Sequence, residues 1–237
     1  MRVIVRTVSE LCITAGSVIV LFVVYVLFWT GVRADSAMHD QIDRLQRQWT
    51  QHTVRPAGPG SSASPRRSPK DPARQVAPAA YHYGRPFAIM YIPRLGLTWH
   101  KPVLEGTGTD VLQKGLAHYT RTARLGGLGN FAVAGHRRTY GDPFKDFPEL
   151  RPGDAVVLTD GTTWFTYRID KGPYKTVPTD VGVIDPVPRE SGYRGAGRYL
   201  TLTTCDPEWG HSHRLIAWAH LDSTLPVEAG KPEALRR

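Results

Sequence analysis

From Tyr81 onward the chain consists of short runs of β-branched and aromatic residues, which Gly, Pro and Asp interrupt every few positions. This texture is typical of an all-β barrel or sandwich. Asp160-Gly161, between two alternating runs, predicts a tight hairpin. Short helices are expected at Leu112–Leu116 and Asp142–Leu150. The eight predicted strands are Phe87–Ile92, Trp99–Val103, Asn130–Gly135, Ala155–Thr159, Thr163–Asp170, Tyr174–Val177, Tyr199–Thr204 and Leu215–Leu221.

An apolar stretch precedes this region. Leu11 to Val32 contains 22 residues without a charge, which is long enough to cross a bilayer as a helix. The apolar part of a cleaved signal peptide is shorter, about 7–15 residues. Arg2 and Arg6 precede the stretch, so the positive-inside rule places the N-terminus in the cytoplasm. We therefore predict a cytoplasmic segment at 1–10 and a transmembrane signal-anchor helix at 11–32. The weak cleavage-like pattern Val32-Arg33-Ala34 leaves processing open as an alternative.

Residues 33–80 divide into two parts. Asp35–His52 is polar with apolar residues at helical spacing, which predicts an amphipathic helix that continues from the membrane. The alternatives are that it lies on the bilayer surface or is disordered when alone. Val54–Ala80 contains six prolines in 27 residues and no aromatic residue, which is typical of an unfolded linker. The predicted folded domain spans 81–226, and 227–237 forms a C-terminal tail. The apolar residues of the predicted helix are Met38, Ile42, Leu45 and Trp49.

The charge distribution argues against a nucleic-acid partner. The formal net charge is +9, but residues 81–226 hold 17 Lys and Arg against 14 Asp and Glu, a net charge of only +3. A nucleic-acid-binding domain concentrates its basic residues on one face. The excess of positive charge is better explained by a basic linker near an anionic membrane or wall.

One thiol lies in the predicted domain. Cys205 ends a predicted strand, and Arg214 opens the next one, so a guanidinium beside the sulfur would favour the thiolate. The alternative is that Cys205 is a small buried apolar residue, as many free cysteines are. The second cysteine, Cys12, lies in the apolar stretch, so a disulfide between the two is not expected.

Two motifs resemble those of the sortases, the cysteine transpeptidases of Gram-positive cell surfaces. The first is Thr201-Leu-Thr-Thr-Cys205 followed nine residues later by Arg214, and the second is Asn130-Phe-Ala-Val-Ala-Gly-His136-Arg. The resemblance covers roughly 81–226 and implies a closed eight-stranded β-barrel. It also implies the roles of the residues. Cys205 would attack the scissile carbonyl, His136 would act as acid and base, Arg214 would stabilise the oxyanion, and Thr204 would contact the substrate.

The segment Gly115-Leu-Ala-His-Tyr119 resembles a motif of class E sortases, in which the tyrosine helps to read an alanine in the sorting signal. The resemblance implies a single-pass enzyme of the cell membrane with an extracytoplasmic domain. It would cleave a Leu-Ala/Pro-x-Thr-Gly signal of secreted proteins between Thr and Gly, and would transfer the acyl chain to an amine of a peptidoglycan precursor or a pilin. The alternatives are a pilin-polymerising sortase and an inactive surface barrel. An L,D-transpeptidase is disfavoured, because Thr203-Thr204 replaces the His-Gly that precedes its cysteine.

We expect neither a cofactor nor a metal. Cys205, His211 and His213 form a C-x5-H-x-H cluster, but a zinc site needs three or four ligands on a rigid frame, and this loop offers no second cysteine. Dinucleotide, Walker and EF-hand motifs are also missing from the sequence.

Overall fold

The computed structural model describes residues 2–53 and 80–236. The predicted linker therefore lies outside the described residues, apart from Ala80. The described residues form an N-terminal helix, eight strands and one short helix, joined by loops with 3-10 turns. In chain order these are α1 (Arg2–Thr53), β1 (Pro86–Tyr91), β2 (His100–Glu105), α2 (Thr109–Leu112), β3 (Leu116–His118), β4 (Gly129–Ala134), β5 (Ala155–Thr159), β6 (Thr163–Thr176), β7 (Arg198–Asp206) and β8 (His213–Pro226).

The eight strands close into one barrel in the order β1-β2-β3-β4-β7-β8-β6-β5, which confirms the predicted fold class. Two of the neighbouring pairs, β2 with β3 and β4 with β7, are parallel, and the other pairs are antiparallel. The predicted hairpin joins β5 to β6. Its Asp160 carboxylate accepts hydrogen bonds from the backbone N–H groups of Thr162 and Thr163, both at 2.9 Å.

Inward-facing side chains of the strands fill the barrel with one apolar core. Phe131, Leu200 and Leu202 are buried there together with Phe144 and Phe147 from the loop after β4. Because side chains alternate across a strand, the same strands present a second face to the outside. Burial of the inner face anchors the strand ends that carry the polar residues of the site.

The strand predictions were wrong at two places. The runs Thr163–Asp170 and Tyr174–Val177 belong to the single strand β6, which continues past Gly172-Pro173 through irregular register between Lys171 and Tyr174. The strand β3 was missed, because three residues are too few to show a period.

The helix predictions were also wrong in part. A helix was predicted at Leu112–Leu116, but α2 ends at Leu112. Over Asp142–Leu150 only a 3-10 turn forms, at Phe147–Glu149.

The helix α1 is continuous from Arg2 to Thr53. Its segment Ile4–Tyr25 is long and apolar enough to cross a membrane, and its side chains are exposed in the isolated chain. The later part of α1 packs on the barrel, where Ile42 and Leu45 contact Ile89 of β1. The predicted apolar stripe therefore faces protein in this structure.

Candidate active site

Parallel pairing of β4 and β7 brings two of the predicted site residues to the same edge of the barrel. Ala134 lies beside Thr203 in this pair, and the N–H of Gly135 donates to the carbonyl of Thr203 at 3.1 Å. Because parallel strands end on the same side, His136 just after β4 and Cys205 near the end of β7 lie at a common rim. This geometry explains how residues about 70 positions apart can form one site.

The third predicted residue lies on the neighbouring strand. Cys205 is directly opposite Arg214 in the antiparallel pair of β7 and β8. The Arg214 Nη1 donates to the carbonyls of His211 and His213, both at 2.9 Å. These two bonds hold the guanidinium at the edge of the site, and its other nitrogens carry further donors.

A cavity of about 250 Å³ contains all five predicted site residues at its wall. Two lining residues that lie outside the sequence motifs, Thr107 and Leu112, come from the loop after β2 and from α2. The sequence Gly106-Thr107-Gly108 is the local signal for this part of the cavity wall. The ring of Tyr83 covers both glycines, and a side chain at either position would clash with that ring. The cavity is lined by Thr107, Leu112, Tyr119, Ala134, Gly135, His136, Thr203, Thr204, Cys205 and Arg214.

The two residues predicted to contact substrate differ in their surroundings. Thr204 is buried, and its hydroxyl donates to the carbonyl of Gly135 at 2.8 Å, so it ties β7 to the residue before His136. Tyr119 is half-buried, with its hydroxyl 3.4 Å from Oγ1 of Thr203. A hydrogen bond of that length is weak, so the hydroxyl of Tyr119 remains available to a ligand in the cavity.

The imidazole of His136 is half-buried. Burial lowers its pKa below the ordinary value of 6.5, and the carboxylate of Asp142 acts in the opposite direction. Loss of hydration disfavours the charged ring, whereas a nearby anion favours it. The ring of Tyr140 lies next to this imidazole, with its centroid 5.1 Å from that of His136.

Replacing Asp142 with Asn should lower the pKa of His136 further, because the change removes the negative charge that favours the imidazolium. Asn tolerates the positive φ of 46° at this position. The measurement is an NMR titration of the His136 ring in the full chain in detergent micelles, with His136→Gln used for assignment. Asp146→Asn, a carboxylate in the same loop, serves as the control. An unchanged or higher pKa in Asp142→Asn would contradict this account.

An ion cluster also lies beside the thiol. The Asp206 carboxylate accepts from Lys175 Nζ at 2.8 Å and from Arg137 Nη1 at 2.5 Å. Lys175 and Arg137 hold the pKa of Asp206 below its usual range, although burial opposes them. Because Arg137 follows His136 and Asp206 follows Cys205, this cluster joins the two strand ends that carry the candidate site.

Over residues 2–53 and 80–236, no group of three His, Cys, Asp or Glu side chains is arranged to hold a metal ion. Cys205 and Cys12 are both free thiols. The wall of the cavity carries a thiol, an imidazole and a guanidinium. These are the components of acyl transfer by a cysteine nucleophile.

The comparison with known families agrees with this geometry. The family model "Sortase domain" matches residues 90–222, which include every element of the barrel that forms the cavity. The chain belongs to the sortase family, whose members are cysteine transpeptidases. Its relatives place it further in class E.

Two relatives come from Streptomyces coelicolor. Sortase SrtE1 is 35% identical over 97% of this chain and 60% of its own length, and Sortase SrtE2 is 31% identical over 98% of this chain and 88% of its own length. The chain thus spans only about three fifths of the length of SrtE1.

Solved structures show the same barrel. Sortase E from Streptomyces avermitilis is 81% identical, with a TM-score of 0.63 over 66% of this chain and all of that one. Sortase E1 from S. coelicolor, solved with a tripeptide in its active site, is 38% identical, with a TM-score of 0.61 over 66% of this chain and 99% of that one.

Proposed function

We propose that this chain is a membrane-anchored sortase that joins secreted proteins to an amine acceptor at the cell surface. The observation that carries the proposal is the convergence of Cys205, His136 and Arg214 on one cavity of a sortase barrel. A surface barrel without activity would not need these three groups at a common rim. The peptide in the active site of the S. coelicolor enzyme supports a peptide ligand for the cavity of this chain as well.

The proposed reaction has two steps. The thiolate of Cys205 attacks the Thr carbonyl of a Leu-Ala/Pro-x-Thr-Gly signal, the Thr–Gly C–N bond breaks, and His136 donates a proton to the departing Gly amine. An acceptor amine then attacks the thioester carbonyl and gives its proton to His136. A new amide forms, and the thiolate of Cys205 is released. Arg214 stabilises the oxyanion in both steps.

The burial of His136 has a consequence for this mechanism. Because burial lowers its pKa, the neutral ring is favoured over the imidazolium, so the form of the enzyme with both thiolate and imidazolium is disfavoured. The neutral ring is the form that accepts the proton of the acceptor amine in the second step. Asp142 favours the imidazolium that the first step requires.

We further propose that the barrel is extracytoplasmic and that α1 anchors it with the N-terminus in the cytoplasm. The support is the apolar segment Ile4–Tyr25 together with Arg2 and Arg6 at its start. The donors would be secreted proteins with a C-terminal sorting signal. The acceptor would be an amine of a peptidoglycan precursor or of a pilin.

The direct test uses the full chain in detergent micelles, a fluorescent peptide with the LAxTG or LPxTG signal and an amine acceptor. We expect mass spectrometry to find a product in which the Thr carbonyl is joined to the acceptor, together with the released Gly peptide. If both peptides remain uncleaved by enzyme that is folded by circular dichroism, the proposed function is wrong.

Tyr119→Phe should reduce the preference for Ala over Pro at the second position of the signal. An Ala there has a backbone N–H that Pro lacks, and the tyrosine oxygen can accept from it directly or through one water. A neutral hydrogen bond contributes about 0.5–1.5 kcal/mol, or roughly a three- to tenfold preference.

The measurement is the ratio of kcat/KM for the LAxTG and LPxTG peptides. Tyr199→Phe is a matched control, because the hydroxyl of Tyr199 donates to the carbonyl of Gly195 away from the cavity. An equal loss of activity toward both peptides in Tyr119→Phe would show that Tyr119 only packs the wall.

A further inference from the structure

The outer face of β1 is covered by α1. Alternate residues of β1 point into the barrel core, Ala88 and Met90 among them, whereas Ile89 and Tyr91 belong to a separate cluster with the helix. Ile89 is fully buried although it points out of the barrel. Without α1, an apolar strand face would be exposed to water, so the helix completes the packing of the barrel.

The N-terminal end of the contact between α1 and the barrel reaches the loop that follows His136. A Cβ atom on Gly141 would overlap both Met38 and Asp35 of α1. Side chains of α1 therefore contact the backbone of the loop at Gly141. Met38 is only 2% exposed. The helix therefore packs against the loop that carries Tyr140, whose ring neighbours that of His136.

This loop has an unfavourable backbone conformation. Four consecutive residues have positive φ: Thr139 at 72°, Tyr140 at 51°, Gly141 at 76° and Asp142 at 46°. Three of the four are not glycine, and such residues adopt this region only where the surrounding structure holds them. Side chains of α1 are part of that surrounding structure.

An electrostatic link runs along the same path. Lys101 Nζ of β2 lies 3.8 Å from the Asp35 carboxylate of α1, and the lysine side chain is only 17% exposed. Burial lowers the pKa of Lys101, while Asp35 and Asp142 both act in the opposite direction. One half-buried lysine thus interacts electrostatically with a carboxylate of the helix and with a carboxylate of the His136 loop.

We infer that the buried face of α1, which Met38, Ile42 and Leu45 form, belongs to the catalytic unit, with Asp35 and Met38 as positioning residues for the loop that follows His136. The inference rests on the proposed function, in which His136 transfers protons. A second consequence follows from the continuity of the helix. Ala34 is buried and lies on the same continuous helix as the apolar segment Ile4–Tyr25. The helix would hold the active site at a fixed distance from the bilayer, which a flexible linker cannot do.

The first test asks whether the contact exists in the membrane, without using activity. The full chain, with Cys12→Ala and Cys205→Ala, is placed in protoplasts and carries one new cysteine at position 42 or 44. Ile42 is 5% exposed in the contact, and Arg44 is exposed on the same helix. We expect a membrane-impermeant maleimide to label Ile42→Cys at least about tenfold more slowly than Arg44→Cys. Equal labelling rates would overturn the inference.

The second test asks whether the contact positions the site. In the otherwise native chain, Met38→Gln should lower kcat about tenfold with little change in KM, because a small displacement of the acid–base group is costly while the peptide cavity is untouched. Met38→Leu should restore kcat to within about twofold, since it conserves volume and polarity. Arg44→Gln, on the exposed face, should not change kcat.

Hydrogen exchange at residues 139–142 provides the structural readout. We expect faster exchange in Met38→Gln and exchange at the parent rate in Met38→Leu. Parent-like kcat in Met38→Gln would overturn the positioning role, and so would a loss of kcat without faster exchange in the loop. If the parent chain fails to join the peptide to an amine, the proposed function is overturned instead. The labelling rates and the hydrogen exchange would still show whether α1 packs on the barrel and holds the loop.

Discussion

Cys205→Ala should reduce peptide transfer to below about 10⁻⁴ of the parent rate, because among the residues that line the cavity Cys205 alone has a thiol to form the acyl intermediate. The loss should come with an intact fold. Cys205 lies at the end of β7 and is only partly buried, so truncating its thiol leaves no large cavity. A change in the free energy of unfolding of no more than about 1 kcal/mol is expected.

The control for this variant is Cys12→Ala, which removes the other thiol from the apolar part of α1 and should leave kcat unchanged. Incubation of the parent with peptide but without acceptor should produce a chain heavier by the acyl fragment, and Cys205→Ala should show no such adduct. Transfer at more than a few per cent of the parent rate by the variant would mean that another nucleophile carries the reaction.

The site could be predicted from sequence because its three main residues occupy strand ends within short, recognisable motifs. Leu200 and Leu202 alternate with threonines before Cys205, so the strand and its buried face are readable locally. The relation of His136 to Cys205 was not readable locally. It depends on parallel pairing of β4 with β7, whereas the family resemblance implied only that the two residues share a site.

The missed features depend on contacts that are distant in sequence. The strand β3 has three residues and exists because β2 and β4 flank it. The strand β6 continues through Gly172-Pro173 because β8 pairs with both of its halves. Local turn signals predicted a break there, and tertiary pairing overrode them.

The packing of α1 on the barrel could be predicted from the sequence only in part. The stripe of Met38, Ile42 and Leu45 predicted a one-sided helix, but it could not distinguish a lipid surface from a protein surface. The sequence of β1 also indicates that its outer face is covered. It is apolar at consecutive positions, including Ile89 and Met90, and such a run is typical of a strand buried on both faces. Only the structure shows that the apolar stripe of α1 packs against the outer face of β1.

Arg214→Lys should lower kcat by about 10²–10³, which is the usual cost of losing one oxyanion donor, although the positive charge is kept. The reason lies in the geometry of the guanidinium. Its Nη1 is held by the carbonyls of His211 and His213, and its other nitrogens extend in the same plane as further donors. A lysine has a single nitrogen at the end of a flexible chain, so it cannot both bind those carbonyls and reach the oxyanion in the same fixed arrangement.

The measurement is single-turnover acylation of the full chain by the LAxTG peptide, which isolates the step in which the oxyanion first forms. Arg189→Lys is the matched control, because Arg189 forms an exposed ion pair with Asp185, and exposed pairs of this kind contribute little. Arg214→Ala should be at least as slow as Arg214→Lys, since it removes the charge as well as the planar donors. If Arg214→Lys acylates at nearly the parent rate while Arg214→Ala does not, positive charge near Cys205 is sufficient and the oxyanion role of the guanidinium is wrong. If both variants acylate at the parent rate, Arg214 has no part in the acylation step, and the nucleophile and acid–base assignments of Cys205 and His136 would have to stand without it.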